Sequence, residues 1–233
     1  MSTELTRIGE KARKEPALVF TSLYHHVTDV DNLRACYDAL PGDRAVGVDG
    51  VTKGEYGANL EENLQGLSGR LKRGGYRPQP KRRTYIPKLG SEKGRPLGIS
   101  CFEDKIVELA VKRVLEPIYE TVFEDSSHGY RPERNQHTCL EVLGRTIQQR
   151  RVSHVVEADI RGFFDGVHHG WMKTFLQHRI GDPPNHRANL ADAQRRHPRG
   201  GPGSGHGGGY TARVSALAAA VQHLPALCAG PVV

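Results

Sequence analysis

Two groups of residues in this sequence have the types and spacing to do chemistry. The first is acidic. The run Asp159-Ile160-Arg161-Gly162-Phe163-Phe164-Asp165 closes a β-favouring stretch, Val152–Ile160. Val156, Ala158 and Ile160 fall on one face of that stretch, and Val155, Glu157 and Asp159 on the other. A carboxylate at the carboxyl end of a strand, followed by glycine and bulky aromatics, suits a magnesium site. Hard oxygen ligands fix the cation, a backbone carbonyl one residue on can join it, and a nearby aromatic can shape a pocket. The same spacing also fits two aspartates that merely end a strand and cap a helix.

The second group is basic. Arg70, Lys72, Arg73, Arg77, Lys81, Arg82, Arg83, Lys88, Lys93 and Arg95 lie between positions 70 and 95 with a single acid, Glu92, among them. Tyr76 and Tyr85 are interleaved. Each phosphate neutralised by such a stripe releases a condensed counterion, and aromatic faces stack on bases or riboses. A solvated basic hairpin is the plainer reading. Placement favours a polyanion, because Pro and Gly punctuation holds the charge in a hairpin whose turn would set Lys88 opposite Arg95.

The elements that must carry these groups follow from periodicity. Asp31–Leu40 reads as a helix ending before Pro41-Gly42. Tyr56–Leu71 reads as another, with Leu60, Leu64, Leu67 and Leu71 on one face and Gly74-Gly75 as its stop. Arg82–Pro87 and Arg95–Ile99 read as the strands of a hairpin around a Leu89–Gly94 turn. Ser100 and Glu103 have the spacing of a capping box, ahead of a helix with Ile106, Ala110, Val114 and Ile118 in its apolar stripe. Thr138–Gln149 and Trp171–Arg179 are further helix candidates. The whole implies a mixed α/β or α+β domain over residues 1–182.

Composition bounds the rest. The 233 residues are 37% apolar and 25% charged, with a formal net charge of +7, which excludes collagen-like and wholly disordered chains. No apolar run approaches a membrane span and no signal peptide opens the chain, so a soluble, cytoplasmic protein with reduced thiols is expected. Cys36, Cys101, Cys139 and Cys228 form no C-x-x-C pair, and the adjacent pairs His25-His26 and His168-His169 lack metal-ligand spacing. From residue 183 to 233 there are eight glycines, six prolines, one Asp and no Glu, Lys, Ile, Phe or Trp, so this tail reads as disordered or ill-packed.

Seven segments, in order, resemble the reverse-transcriptase domain of group II intron-encoded proteins, the intron reverse transcriptase/maturase family. They are G-V-D-G from Gly47, G-Y-R-P from Gly75, Y-I-P-K from Tyr85, R-P-L-G-I from Arg95, L-E-P-I-Y-E from Leu115, S-H-G-Y-R-P from Ser127 and D-I-R-G-F-F-D from Asp159. The resemblance spans roughly residues 18–182. It implies an α+β right-hand polymerase, with fingers over residues 1–150 and the start of the palm over 151–182.

The resemblance also implies roles for individual residues. Asp159 would be the first metal-binding catalytic carboxylate for Mg2+, and Ile160 the neighbour whose carbonyl helps hold the second ion. Phe164 would stack beneath the incoming sugar and select deoxynucleotides. Lys88 and Arg95 would close on the triphosphate. Arg131 and the basic hairpin, with Arg77, Lys81, Arg82 and Arg83, would lie along RNA. The implied partners are group II intron RNA, an RNA/DNA template-primer and deoxynucleoside triphosphates, with no membrane and with homodimerisation open.

The sequence departs from the family after Asp165, where no Y-A-D-D box supplies the remaining carboxylates. No maturase (X) domain, DNA-binding segment or H-N-H endonuclease is expected either. Read one base later, codons for His206–Arg213 can spell T-E-E-G-T-P-Q-G, and those for Leu217–Gly230 can spell S-P-L-L-S-N-I-Y-L-H-Y-V-L-D, the family's next motifs. A frameshift between about Asp182 and His206 is therefore expected, which would make the tail that follows an out-of-frame translation. A non-catalytic RNA-binding module and a misfolded pseudogene product stand as alternatives to the polymerase.

Overall fold

A computed structural model describes residues 3–88, 91–158 and 168–182. Among these residues the chain forms eight helices and one two-stranded sheet, an α+β arrangement. The sequence order is α1 (Thr3–Lys14), α2 (Tyr24–Thr28), α3 (Val30–Ala39), α4 (Lys53–Gly57), α5 (Leu60–Lys72), β1 (Arg82–Lys88), β2 (Ser91–Ile99), α6 (Phe102–Tyr119), α7 (Gln136–Gln149) and α8 (His169–Gln177).

Helix α6 is the axis of the core. Its stripe Ile106, Ala110, Val114 and Ile118 is buried as the periodicity predicts, with Val107 and Leu115 beside it. Against it pack Leu5, Ile8 and Ala12 of α1, Val27 of α2, and Leu33 and Cys36 of α3, while Leu64, Leu67 and Leu71 of α5 join the same cluster by packing on α2 and α3. Burying each such Leu or Ile contributes about 1.5–3 kcal/mol. Gly9 lets α1 lie close to Pro117 in the last turns of α6, since a Cβ there would sit 3.1 Å from the proline Cβ.

The capping box expected at Ser100 and Glu103 does not form. Cys101 is the N-cap and makes no side-chain cap bond. The Ser100 hydroxyl donates instead to Glu108 (2.9 Å), and Glu103 is taken by Arg70. Long-range partners outbid the local pattern. The predicted Tyr56–Leu71 helix is likewise split, into α4 and α5. A Thr52/Glu55 capping box starts α4, and the Asn63 amide donates to the Tyr56 carbonyl at 2.8 Å, satisfying an acceptor at the break. Helix α5 stops at Gly74, whose φ of 68° suits only the left-handed region glycine tolerates, and Gly75 N–H closes onto Arg70 O.

The end of the described chain is fastened to its beginning. Phe20 and Ile180 form a parallel bridge, with Phe20 N–H donating to Arg179 O (2.8 Å) and Gly181 N–H to Phe20 O (2.6 Å). The Arg179 guanidinium donates to the carbonyls of Pro16 and Ala12. Asp182, fully buried, accepts from Leu23 and Tyr24 N–H and so satisfies the first turn of α2. Neither α1 nor this fastening is foreseen by the sequence reading, although Leu5, Ile8 and Ala12 already have helical spacing.

Val152–Ala158, the described part of the predicted strand, joins no ladder among the described residues and is exposed throughout. β-propensity is present, but a strand also needs a ladder partner, and the described sheet consists of β1 and β2 alone. Residues 159 and 160, and the tail beyond 182, lie outside the described residues. No described helix is long and apolar enough to cross a membrane. Cys36, Cys101 and Cys139 are free thiols, the first two buried.

Candidate nucleic-acid interface

The basic hairpin rises from a buried polar anchor. Tyr76 was a candidate stacking ring, but it is buried, and its hydroxyl donates to Asp104 Oδ1. Gln79 N–H donates to the other oxygen, Oδ2, at 3.0 Å. Asp104 itself is 2% exposed on α6, so the G-Y-R-P turn is pinned to the central helix just before β1 begins. Arg77 Nη1 donates to the carbonyls of Gly74 and Tyr76, both at 2.9 Å, and stiffens the same turn.

Several cations of the stripe are engaged within the protein. Arg70 makes a bidentate pair with Glu103 (2.9 and 2.6 Å), which holds its guanidinium even more firmly protonated. The Lys81 side chain is only 6% exposed, with its ammonium 3.9 Å from Glu108 Oε1. Arg82 is exposed but ties the base of the hairpin down, its Nε donating to Val46 O at 2.9 Å. One residue away, Lys105 Nζ donates to Ala45 O at 2.6 Å. Burial, with repulsion from Arg44 in addition, pushes the Lys105 ammonium below its ordinary range.

These bonds hold the Ala45–Gly50 loop against the start of α6. Gly47 meets Cys101 there so closely that a Cβ would lie 2.5 Å from the cysteine Cα and 2.6 Å from its nitrogen. Backbone cannot swing aside as a flexible side chain can. Gly47→Ala is therefore expected to destabilise the chain by about 1–3 kcal/mol, read as a lower midpoint in urea. The first glycine of the G-V-D-G segment thus has a packing reason.

What the hairpin leaves exposed is set by its register. Arg82 pairs with Ile99, Arg83 with Gly98, Thr84 with Leu97, Tyr85 with Pro96, Ile86 with Arg95 and Lys88 with Ser91, with an irregularity between Ile86 and Lys88. Arg83 and Tyr85 share a face whose cross-strand neighbours are glycine and proline, so nothing long covers them. Both are exposed, Tyr85 by 62%. Gly94 belongs to β2 rather than to a turn, fitting beneath Tyr85, where a Cβ would come within 3.0 Å of the tyrosine Cβ.

The expected facing of Lys88 and Arg95 is corrected by this register. The strands extend to Lys88 and resume at Ser91, which puts Arg95 opposite Ile86. Lys88 is offset from Arg95 by one two-residue step, roughly 7 Å along the strand.

Arg131 was expected near template, yet it is turned inward. Nε and Nη2 donate to Glu120 Oε1 (3.0 and 2.6 Å), and Nη1 donates to the carbonyls of Glu124 (2.6 Å) and Ser127 (3.1 Å). Its guanidinium lies over the Phe123 ring. The donors that a phosphate would need are used to shape the loop ahead of α7. The roles of Asp104, Glu103 and Glu108 in organising the hairpin base are missed by sequence reasoning, because partners such as Arg70, Tyr76 and Gln79 lie on the far side of the whole hairpin, 25 to 33 positions earlier.

Asp159, Ile160 and Phe164 lie outside the described residues. Among the described residues no three His, Cys, Asp or Glu side chains assemble as a metal site, so that part of the chain offers no cation cradle of its own. His26 pairs with Glu4 at 3.3 Å, and burial, with the neighbouring His25 in addition, lowers its pKa.

A family model described as "Reverse transcriptase (RNA-dependent DNA polymerase)" matches residues 86–203. The Group II intron-encoded protein LtrA of Lactococcus lactis subsp. cremoris is 38% identical over 178 residues, covering 76% of this chain and 29% of that protein. Protein YkfC of Escherichia coli (strain K12) is 40% identical over 144 residues, 60% of this chain and 38% of that one. Nuclear intron maturase 2, mitochondrial, of Arabidopsis thaliana is 33% identical over 81 residues, 35% of this chain and 11% of that one. Most of each relative lies outside the match.

Proposed function

Because the chain belongs to the reverse transcriptase (RNA-dependent DNA polymerase) family, we propose that it carries the fingers, residues 1–150, and the first palm segment, 151–182, of an RNA-directed DNA polymerase of the group II intron type. Its substrates in this reading are deoxynucleoside triphosphates on an RNA/DNA template-primer, and its RNA partner is a group II intron. The observation that carries the reading is the hairpin. Its base is locked to α6 through Asp104 and to the Ala45–Gly50 loop through Arg82, while Arg83 and Tyr85 stand exposed on one face. An anchored arm with a cation beside a bare aromatic suits a nucleic-acid strand, because its backbone is already ordered and only the exposed side chains lose freedom at binding.

Lys88 and Arg95 serve the triphosphate in this reading, and Phe164 selects the deoxyribose. The Asp159 carboxylate and the Ile160 carbonyl are the chain's contribution to a divalent cation, Mg2+. When bound, that ion supplies Lewis-acid stabilisation of phosphoryl oxygens. In this reading the frame shifts between about Asp182 and His206, an interval within which the family match ends at residue 203, and the nucleotide sequence across it tests the shift. Extension is accordingly assayed on a frame-restored chain, whereas RNA binding needs only the chain as it stands.

A second reading, a non-catalytic RNA-binding module, draws support from the same hairpin, whose exposed Arg83 and Tyr85 can hold RNA without a bound cation. Both readings require the hairpin to bind RNA. Neutralising Arg82 and Arg83 together is expected to weaken RNA binding and to lower the slope of log K against log salt by about 1–2. Unchanged affinity and slope in a salt titration would remove the hairpin from the interface. Templated, cation-dependent incorporation of deoxynucleotides by the frame-restored chain separates the polymerase from the module.

A further inference from the structure

The two roots of the basic hairpin converge on Glu108 of α6. Lys81 comes immediately before β1, and Ser100 immediately after β2. The buried Ser100 hydroxyl donates to Glu108 Oε1 at 2.9 Å, and the Lys81 ammonium lies 3.9 Å from the same oxygen. One carboxylate therefore ties entry to exit. The Lys81 and Glu108 side chains are only 6% and 17% exposed, so water can replace little of the tie while the root stays closed.

The same charge reaches the neighbouring loop. Burial pushes the Lys105 ammonium down and the Glu108 carboxylate works against that loss, while the ammonium donates to Ala45 O at 2.6 Å. Arg82, the first residue of β1, donates to Val46 O beside it. Asp104, one turn earlier on the same face of α6, holds Tyr76 and Gln79 ahead of β1. Asp104 thus fixes where the chain approaches the hairpin, and Glu108 fixes how its two strands leave α6.

Such a tie bears on binding. With the root held, the strands are ordered before a ligand arrives. With it released, ordering is met at binding, and affinity falls although every contacting cation is still present.

We infer that Glu108 is a positioning residue, a single carboxylate that sets the hairpin on α6 and so presents Arg83 and Tyr85 to RNA. It acts through Lys81 and Ser100 and touches no RNA itself. This rests on the proposed contact between the hairpin and RNA.

The full chain and its variants are titrated with a single-stranded oligouridylate over a range of salt, and amide hydrogen exchange is followed by mass spectrometry. Glu108→Gln keeps an acceptor for Ser100 and removes the charge beside Lys81. Opening the root lets water reach the stranded ammonium, so the cost falls on the hairpin rather than on α6. RNA binding is expected to weaken about tenfold at every salt concentration, with the slope of log K against log salt unchanged. Exchange in β1 and β2 is expected to quicken about tenfold, and that of α6 by less than about twofold. Adding Lys81→Met removes the stranded ammonium and is expected to restore most of the affinity. Ser100→Ala leaves the Lys81 pair in place and is expected to quicken hairpin exchange about threefold, a result that decides the matter if Glu108→Gln does not fold.

Parental exchange in the hairpin of these variants overturns the inference. So does quickened exchange spread evenly over α6, which makes Glu108 an ordinary packing residue, and so does a double variant that binds no better than Glu108→Gln. Neutralising Arg82 and Arg83 without effect on RNA binding, alongside a loosened hairpin in Glu108→Gln, would count against the RNA reading and leave the seating of the hairpin by Glu108 standing.

Discussion

Asp159→Ala in the frame-restored chain is expected to lower templated extension by about a thousandfold or more while changing RNA affinity by less than about twofold. Phosphoryl and nucleotidyl transfer ask little covalent chemistry of the protein, so catalysis rests on positioning and on charge placed where charge develops. Losing a carboxylate that fixes a divalent cation removes several kcal/mol of that stabilisation, and each ~1.4 kcal/mol is tenfold in rate. In the proposed reading RNA affinity is carried by the hairpin, which ends sixty positions before Asp159 and is anchored by bonds that do not involve it. Asp159→Asn keeps the shape and loses the charge, so it is expected to behave like the alanine variant. Primer extension and filter binding on the same preparations check both halves, and extension at the parental rate would refute the assignment of Asp159.

The second large effect concerns Asp104. Asp104→Ala strips the acceptor from the Tyr76 hydroxyl and from Gln79 N–H, in a pocket where the carboxylate is 2% exposed. Stripping that acceptor from the buried Tyr76 hydroxyl costs about 1–3 kcal/mol, while water can reach the N–H of exposed Gln79, so a loss of about 1–3 kcal/mol is expected on urea unfolding. Because those bonds seat the start of β1, RNA binding should fall further than global unfolding explains, even at temperatures where the chain stays folded. Asp104→Asn retains one acceptor oxygen and is expected to recover part of the loss. Equal stability of Asp104→Ala and the parent would show that the anchor is dispensable.

How far the sequence foretold these features depends on the range of the interactions. The α6 stripe, the leucines of α5 and the Gly74-Gly75 stop are local patterns, and each is found where periodicity or turn chemistry puts it. The family motifs were legible as an ordered set, and the comparisons bear out the membership they suggested. Side-chain destinations were not legible. Lys81 and Arg131 look like free cations in the sequence but turn inward, because Glu108 and Glu120 wait in the fold. The Ser100/Glu103 spacing invites a cap, yet Arg70, 33 positions earlier, claims the glutamate. Val152–Ala158 has the composition of a strand, but composition cannot supply the neighbour that makes one. Magnesium binding, triphosphate closure and sugar selection at Asp159, Ile160, Phe164, Lys88 and Arg95 stand as proposals on the motifs alone.

The bond from Asp182 to Leu23 N–H joins positions 159 apart. A ribosome adding roughly 5–20 residues per second takes about 10–30 s to cover that interval. Throughout that delay the first turn of α2 lacks its acceptor, and the Pro16 and Ala12 carbonyls lack the arginine that will bind them. The amino-terminal segment therefore stays unfastened through that interval and exposed to chaperones and proteases, and a nascent chain halted before position 182 should be cut near residues 12–24 where one that includes Asp182 resists.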